Sequence, residues 1–145
     1  LMGKYHRSYC TQCSTISGDE PPIFSCSNCG NEKMVMGVYD RIIEIRDQQE
    51  ARHPLGRPPY KYRIPLKDLL GVGPKLKEKL LAFFFDEINV LEKASINDIE
   101  RVAGENVASQ IAHMRVGRLP ITPGGGGKYG RVKKGASQEP SPLAP

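Results

Sequence analysis

From Leu66 to Met114 apolar residues return every three or four positions, and ahead of Val38 the chain shows no such period. Between Pro74 and about Phe85, Leu76, Leu80, Phe83 and Phe84 share one face and Lys75 and Lys79 another, which predicts an amphipathic helix. Ile64-Pro65-Leu66-Lys67-Asp68-Leu69-Leu70 predicts a shorter helix with Pro65 near its first turn. Gly71-Val72-Gly73 separates the two. Ser95-Ile96-Asn97-Asp98 is a capping sequence that opens a third helix. Val102-Ala103-Gly104 then turns the chain into a fourth, from Glu105 to about Arg115, with Val107, Ile111 and Met114 inward. Val38, Ile42 and Ile45 mark one more helix upstream, followed by an extended connector through His53-Pro54 and Arg57-Pro58-Pro59-Tyr60.

This pattern predicts a small α+β protein in five parts. A zinc ribbon occupies 1–37 and a helix with its connector 38–64. A mainly helical tandem helix-hairpin-helix domain spans 65–117, a Gly-rich terminal segment 118–134 and a disordered tail 135–145. Hydrophobic residues make up 39% of the chain, and its 15 glycines and 12 prolines are numerous, so small modules joined by connectors fit better than one large core. Small modules bury little apolar surface, which turns attention to a metal staple and to the four cysteines.

Cys10-Thr11-Gln12-Cys13 and Cys26-Ser27-Asn28-Cys29 form two CxxC knuckles with 12 residues between them. Each knuckle brings two thiolates together, and two knuckles complete a tetrahedral shell around a structural zinc ion. Gly30 suits the left-handed turn that follows such a pair, and the spacing leaves room for a short hairpin between the knuckles. A redox CxxC needs one pair within a βαβ pattern, and a disulfide framework needs a secreted context; neither is present. A shell closed by four thiolates folds a chain and leaves no position for chemistry.

Helix, Gly-x-Gly turn and helix is the pattern of a helix-hairpin-helix. Gly71 and Gly73 let bare backbone amides approach a phosphate, and the first N–H groups of the following helix have no intrahelical partner. Lys75, Lys77 and Lys79 add ionic contacts. Gly104 and Asn106 form a weaker second site amid acidic neighbours, suited mainly to packing against the first. Such a device reads the DNA backbone and not bases, so binding would be salt-dependent and largely indifferent to sequence.

The net charge of +5 lies in two stretches, +2 in 39–64 and +3 in 119–145, while the rest balances. The second stretch includes Pro123-Gly124-Gly125-Gly126-Gly127-Lys128-Tyr129-Gly130-Arg131. Tyr129 there suits stacking on a base and Lys128 and Arg131 a phosphate, against the plainer reading of a flexible linker. It is not a Walker loop, because Tyr129 follows where Ser or Thr belongs.

Taken in order, GKYHRSYC, the paired knuckles, MGVYDRI, PPYKYRIPL, GVGPK and RxGxxxITPGGGGKYGRV resemble the C-terminal half of the endonuclease Q family, over nearly the whole chain to about residue 134. The resemblance implies repair of deaminated DNA, with the family nicking beside uracil, hypoxanthine and related lesions. It also implies a PHP-type metal nuclease domain as partner in the same polypeptide. That domain depends on clustered His and Asp/Glu ligands, whereas His6, His53 and His113 stand apart, so no catalytic site is expected within this chain.

Leu1 ahead of Met2, with the cysteines following almost at once, reads as a piece of a longer polypeptide. No run of about 18 apolar residues is present, so no membrane span is expected, and a cytoplasmic setting fits. Two other readings stand beside the leading one: a free-standing nucleic-acid adaptor, and a protein-interaction module.

Overall fold

The computed structural model describes residues 1–50 and 52–134; the disordered tail expected at 135–145 lies outside them. The chain divides into two compact units. The first combines Leu1–Leu55 with Ile121–Arg131, and the second runs over Gly56–Pro120 and continues from Val132.

In the first unit, β1 (Tyr9–Cys10) pairs antiparallel with β2 (Met34–Val35), Tyr9 opposite Val35 and Cys10 opposite Met34. This pairing flanks the knuckles. The hairpin expected between Cys13 and Cys26 is absent among the described residues, where an isolated bridge joins Ile16 to Tyr9. Pro21 and Pro22 in that stretch, joined by a cis bond, suit turns better than a ladder.

Helix α1 (Val38–Ile45) follows β2. Its first amides are satisfied by main chain: Val38 N donates to Tyr5 O at 2.7 Å and Tyr39 N to His6 O at 3.0 Å. The approach is so close that a side chain on Gly37 would meet the Arg7 carbonyl carbon at 2.3 Å. Asp40, fully buried, accepts from the Ser8 amide at 2.8 Å and lies 3.4 Å from Arg7 Nε. Pairing with a buried cation and an amide is what makes such a carboxylate tolerable. The apolar stripe read from the sequence faces outward instead: Val38, Ile42 and Ile45 are each more than half exposed.

The Gly-rich segment belongs to this same unit. Strands β3 (Ile121–Thr122) and β4 (Arg131–Val132) pair, and the glycines between them lie along the first residues of the chain. Gly130 N donates to Leu1 O, Gly127 N to Lys4 O and Arg7 N to Gly124 O, at 2.9 to 3.1 Å. A side chain on Gly124 would strike Gly3 O at 2.1 Å, and one on Gly126 the Tyr9 ring at 2.5 Å. The glycines are therefore required by packing between two backbones.

The second unit holds the apolar core. Leu66, Leu80, Val90, Ile99 and Ile111 are fully buried, with Leu69, Leu91, Val107 and Met114 around them. The short helix expected at 64–70 is a single 3-10 turn (Leu66–Asp68) whose leading amide, Leu66 N, donates to Glu87 Oε1 at 2.7 Å. Helix α2 (Pro74–Phe84) carries Pro74 in its first turn. It stops at Phe85, which has φ +73° and ψ −42°, with Asp86 N bonded back to Phe84 O at 3.0 Å; this is a γ-turn of the strained kind. A π-turn (Asn89–Lys93) then leads to α3 (Ile96–Ala103) and α4 (Glu105–Arg115). The cap is as the sequence predicts: Ser95 Oγ accepts from Asp98 N at 3.1 Å.

Candidate metal centre and nucleic-acid interface

The two knuckles are built alike. Cys10 N donates to Thr15 O and Cys26 N to Asn31 O, both at 2.9 Å, and each pair ends in a residue of positive φ, Ser14 at +59° and Gly30 at +74°. The sequence marks the second left-handed position by its glycine. It does not mark Ser14, whose backbone is held by the turn around it.

The turns bring Cys10, Cys13, Cys26 and Cys29 together, with all four Sγ atoms within 4.8 Å of one another. The closest pairs, Cys10–Cys29 at 3.6 Å and Cys13–Cys26 at 3.5 Å, each join one knuckle to the other. A tetrahedron with metal–sulfur bonds of about 2.3 Å has edges of about 3.8 Å, close to these separations. Thr15 Oγ1 lies 3.2 Å from Cys13 Sγ, and Asn31 Nδ2 donates to Cys10 Sγ at 3.5 Å, so residues just past each knuckle steady the sulfurs.

Contacts from Asn28 and then Thr15 hold the Cys13 thiol down to about 5, and Asn31 holds Cys10 below its ordinary value. The Asn31 amide pulls Cys29 the same way, but desolvation and the other three sulfurs outweigh it and push Cys29 up to about 12. Four sulfurs in this space cannot all ionise on their own, and a cation among them removes the conflict. The cluster is thus able to hold a metal ion. It also stands where apolar burial is scarce, since Cys10, Ile23 and Cys26 are the buried hydrophobic residues of this unit among those described.

In the second unit, two glycine turns lie side by side. Gly71 has φ +86° and Gly104 +87°, each a position that a side chain would strain. A side chain on Gly71 would come 3.7 Å from Asn106 Nδ2. Gln110 Nε2 donates to Asn106 Oδ1 at 3.2 Å, which leaves Nδ2 facing the first turn. Gly73 caps α2 without a side-chain bond, so the first amides of that helix stay open. Lys75 is exposed and without an ion-pair partner among the described residues. Lys77 instead pairs with Glu87 at 3.7 Å, and Lys79 Nζ bonds Val102 O at 2.8 Å.

Lys128, Tyr129 and Arg131 are exposed on the first unit. They are joined there by a residue that sequence order alone does not associate with them: Lys4 Nζ lies 4.7 Å from the centre of the Tyr129 ring.

No family model matches the chain. It is 41% identical over 135 residues to the uncharacterized protein YqxK of Bacillus subtilis, covering 92% of this chain and 33% of that protein. It is 33% identical over 144 residues to an uncharacterized protein of Methanocaldococcus jannaschii, covering 90% of this chain and 18% of that one. Among solved structures it resembles the lesion-specific endonuclease PfuEndoQ of Pyrococcus furiosus, with a TM-score of 0.67 and 34% identity over 91% of this chain and 35% of the other. It also resembles endonuclease Q in complex with a 27-mer duplex substrate that carries an abasic lesion at the active site. There the TM-score is 0.66 and the identity 36%, over 91% of this chain and 36% of that one. The chain spans a third or less of the curated relatives it matches. Over nine-tenths of its length it is similar, in sequence and in fold, to about a third of endonuclease Q, as its run of motifs led us to expect.

Proposed function

We propose that this chain is the DNA-binding, damage-positioning region of an endonuclease Q-like repair nuclease acting on deaminated bases such as uracil and hypoxanthine. One observation carries the reading: 36% identity, over nearly the whole chain, to a protein whose structure holds a duplex substrate. In this reading a PHP-type nuclease domain in the same polypeptide supplies the cutting chemistry, and the region described here supplies none.

Zinc is the ion we assign to Cys10, Cys13, Cys26 and Cys29, because four thiolates in a closed tetrahedral shell suit it best among common ions. The segment from Leu66 to Phe84 acts as a helix-hairpin-helix. Its open amides after Gly73, with Lys75 beside them, hold one backbone phosphate, and Asn106 Nδ2 reaches the same turn from the second hairpin. Lys77 serves this site through Glu87, which it ties to the opposite arm of the hairpin.

The test is anisotropy of zinc-loaded chain with uracil-containing and plain duplex DNA at two salt concentrations. Salt-sensitive binding to both, weakened about tenfold or less by Lys75→Gln, is the expected result, since one lost phosphate contact costs about one unit of salt slope. Absence of binding to either duplex by a folded, zinc-loaded chain would sink the reading.

A protein-interaction role has one observation in its favour, the outward stripe of Val38, Ile42 and Ile45 on α1. Partner binding through it would survive high salt, unlike contact with phosphate.

A further inference from the structure

Counted along the sequence, residues 1–38 carry no net charge, and nothing suggests that they contact a polyanion. The fold changes that count. It lays residues 1–7 along the glycines of 124–130, through three main-chain bonds that step up one segment as they step down the other. The stretches 1–10 and 121–131 contain Lys4, Arg7, Lys128 and Arg131 and no carboxylate at all. Arg7 is buried and bound to Asp40 and the Asp19 carbonyl, which leaves Lys4, Lys128 and Arg131 as the cations on the surface.

Two aromatic rings share that surface. Tyr129 is 57% exposed, with Lys4 Nζ over its ring at 4.7 Å. Tyr5 is 53% exposed, and its hydroxyl lies 3.6 Å from where a side chain on Gly127 would begin. The loop that presents Tyr129 is stiffened by the reciprocal pair Gly125 N to Lys128 O at 3.1 Å and Lys128 N to Gly125 O at 3.0 Å, around two glycines of positive φ. An exposed aromatic ring on a hydrogen-bonded turn, with Lys4 over it and Lys128 and Arg131 next to it in the chain, on two stretches that carry no carboxylate, matches the needs of one kind of ligand. That ligand is a nucleic-acid strand whose base is unstacked, so that the ring meets the base and the cations meet the flanking phosphates.

We propose that Lys4, Lys128, Tyr129 and Arg131 form a platform for a single-stranded or locally unpaired stretch of nucleic acid, with Tyr129 stacking on a base. This rests on the nucleic-acid reading above but uses the other unit of the chain and another form of the ligand. Duplex binding belongs to the turn at Gly71–Gly73, and strand binding to this platform.

The experiment compares the full zinc-loaded chain with Tyr129→Leu, Lys4→Gln and Lys75→Gln, using a short labelled oligothymidine and a plain duplex at low salt. Losing one stacked base should weaken oligothymidine binding about tenfold in Tyr129→Leu, with duplex affinity changed less than about twofold. Lys4→Gln should move in the same direction. The chain has no tryptophan, so tyrosine emission is readable directly; oligothymidine should quench it in the wild type and less in Tyr129→Leu. Unchanged oligothymidine affinity in both first-unit variants overturns the platform, as does a wild type that binds duplex alone. Oligothymidine binding that needs Tyr129, beside duplex binding indifferent to Lys75, supports the platform and removes the hairpin site. Binding of neither form overturns both. Polyglutamate binding in place of oligothymidine, with the same dependence on Tyr129, would assign the surface to an acidic polypeptide and overturn the proposal.

Discussion

Gln110 on α4 makes both halves of a bond with the backbone of Leu70: Oε1 accepts from Leu70 N, and Nε2 donates to Leu70 O, each at 2.8 Å. Leu70 is the last residue before Gly71, so one buried amide fixes the entry to the first glycine turn from the second helical hairpin. Gln110→Leu keeps the volume and leaves two partly buried main-chain groups without partners. We expect a loss of about 2–3 kcal/mol in urea unfolding of the second unit. Duplex affinity should fall more than for a surface change such as Glu105→Gln. An unaltered midpoint would show that the turn does not depend on this bond.

Metal removal should act on one unit only. The first unit buries few apolar side chains, whereas the second has a core of eleven. A strong chelator, or Cys13→Ser, should abolish amide-exchange protection around residues 7–40 while the amides of α2 and α4 keep theirs. Equal loss in both would mean that the second unit cannot stand without the metal.

Gly126→Ala should destabilise the first unit by more than about 2 kcal/mol, since it combines positive φ with collision against the Tyr9 ring. Gly18→Ala is the control, because nothing lies within 4 Å of the added carbon. Thermal midpoints of the two variants decide the matter. A neutral Gly126→Ala would mean that the loop lifts readily from residues 3–9.

Phe85 is 87% exposed and has its backbone at positive φ. Phe85→Gly should therefore raise stability by about 1 kcal/mol, relieving strain with little packing to lose. A lower urea midpoint would instead show that the ring makes contacts worth more than the strain.

Glu92 is held down to about 2, first by its bond with Arg63 and then by that with Lys61. A carboxyl lowered in the folded chain contributes stability in full above its ordinary value of 4.5, and loses that contribution as the pH falls from there towards 2. Glu92→Gln should lower the unfolding midpoint at neutral pH and flatten its decline below about pH 4.5. Parallel acid titrations of both proteins by circular dichroism check this. Curves of identical shape would remove Glu92 as the titrating group.

The readable parts of this molecule were local ones. Paired CxxC spacing, the cap at Ser95 and the glycines at 71 and 104 each state their geometry within a few residues, and the four thiols and the helices from Pro74 to Arg115 follow; Gly73, by contrast, has extended backbone that any residue adopts. Longer relationships left no such mark. Four glycines before Lys128 read equally as linker or ligand loop, because their partners, Gly3 to Tyr9, lie more than a hundred residues away. Periodicity located α1 correctly, but could not say that its Asp40 side would face inward and its Ile42 side outward. Ser14 and Phe85 adopt positive φ against their own preference, and composition is silent about residues held by their surroundings.

The seam between residues 1–7 and 124–130 also sets an order of events. Most of the second unit, Gly56–Pro120, is inserted in the first, so a ribosome releases all of it before the last piece of the cysteine-bearing unit exists. The cysteines can gather early, since they span only 20 positions, but the surface that carries Tyr129 is completed by a closure across most of the chain. Such distant closures are slow to form. A ribosome stalled short of residue 121 would thus hold a chain with its thiols in place and residues 5–7 on α1, but with the main-chain groups of Leu1, Lys4 and Arg7 that meet the glycines still unpaired.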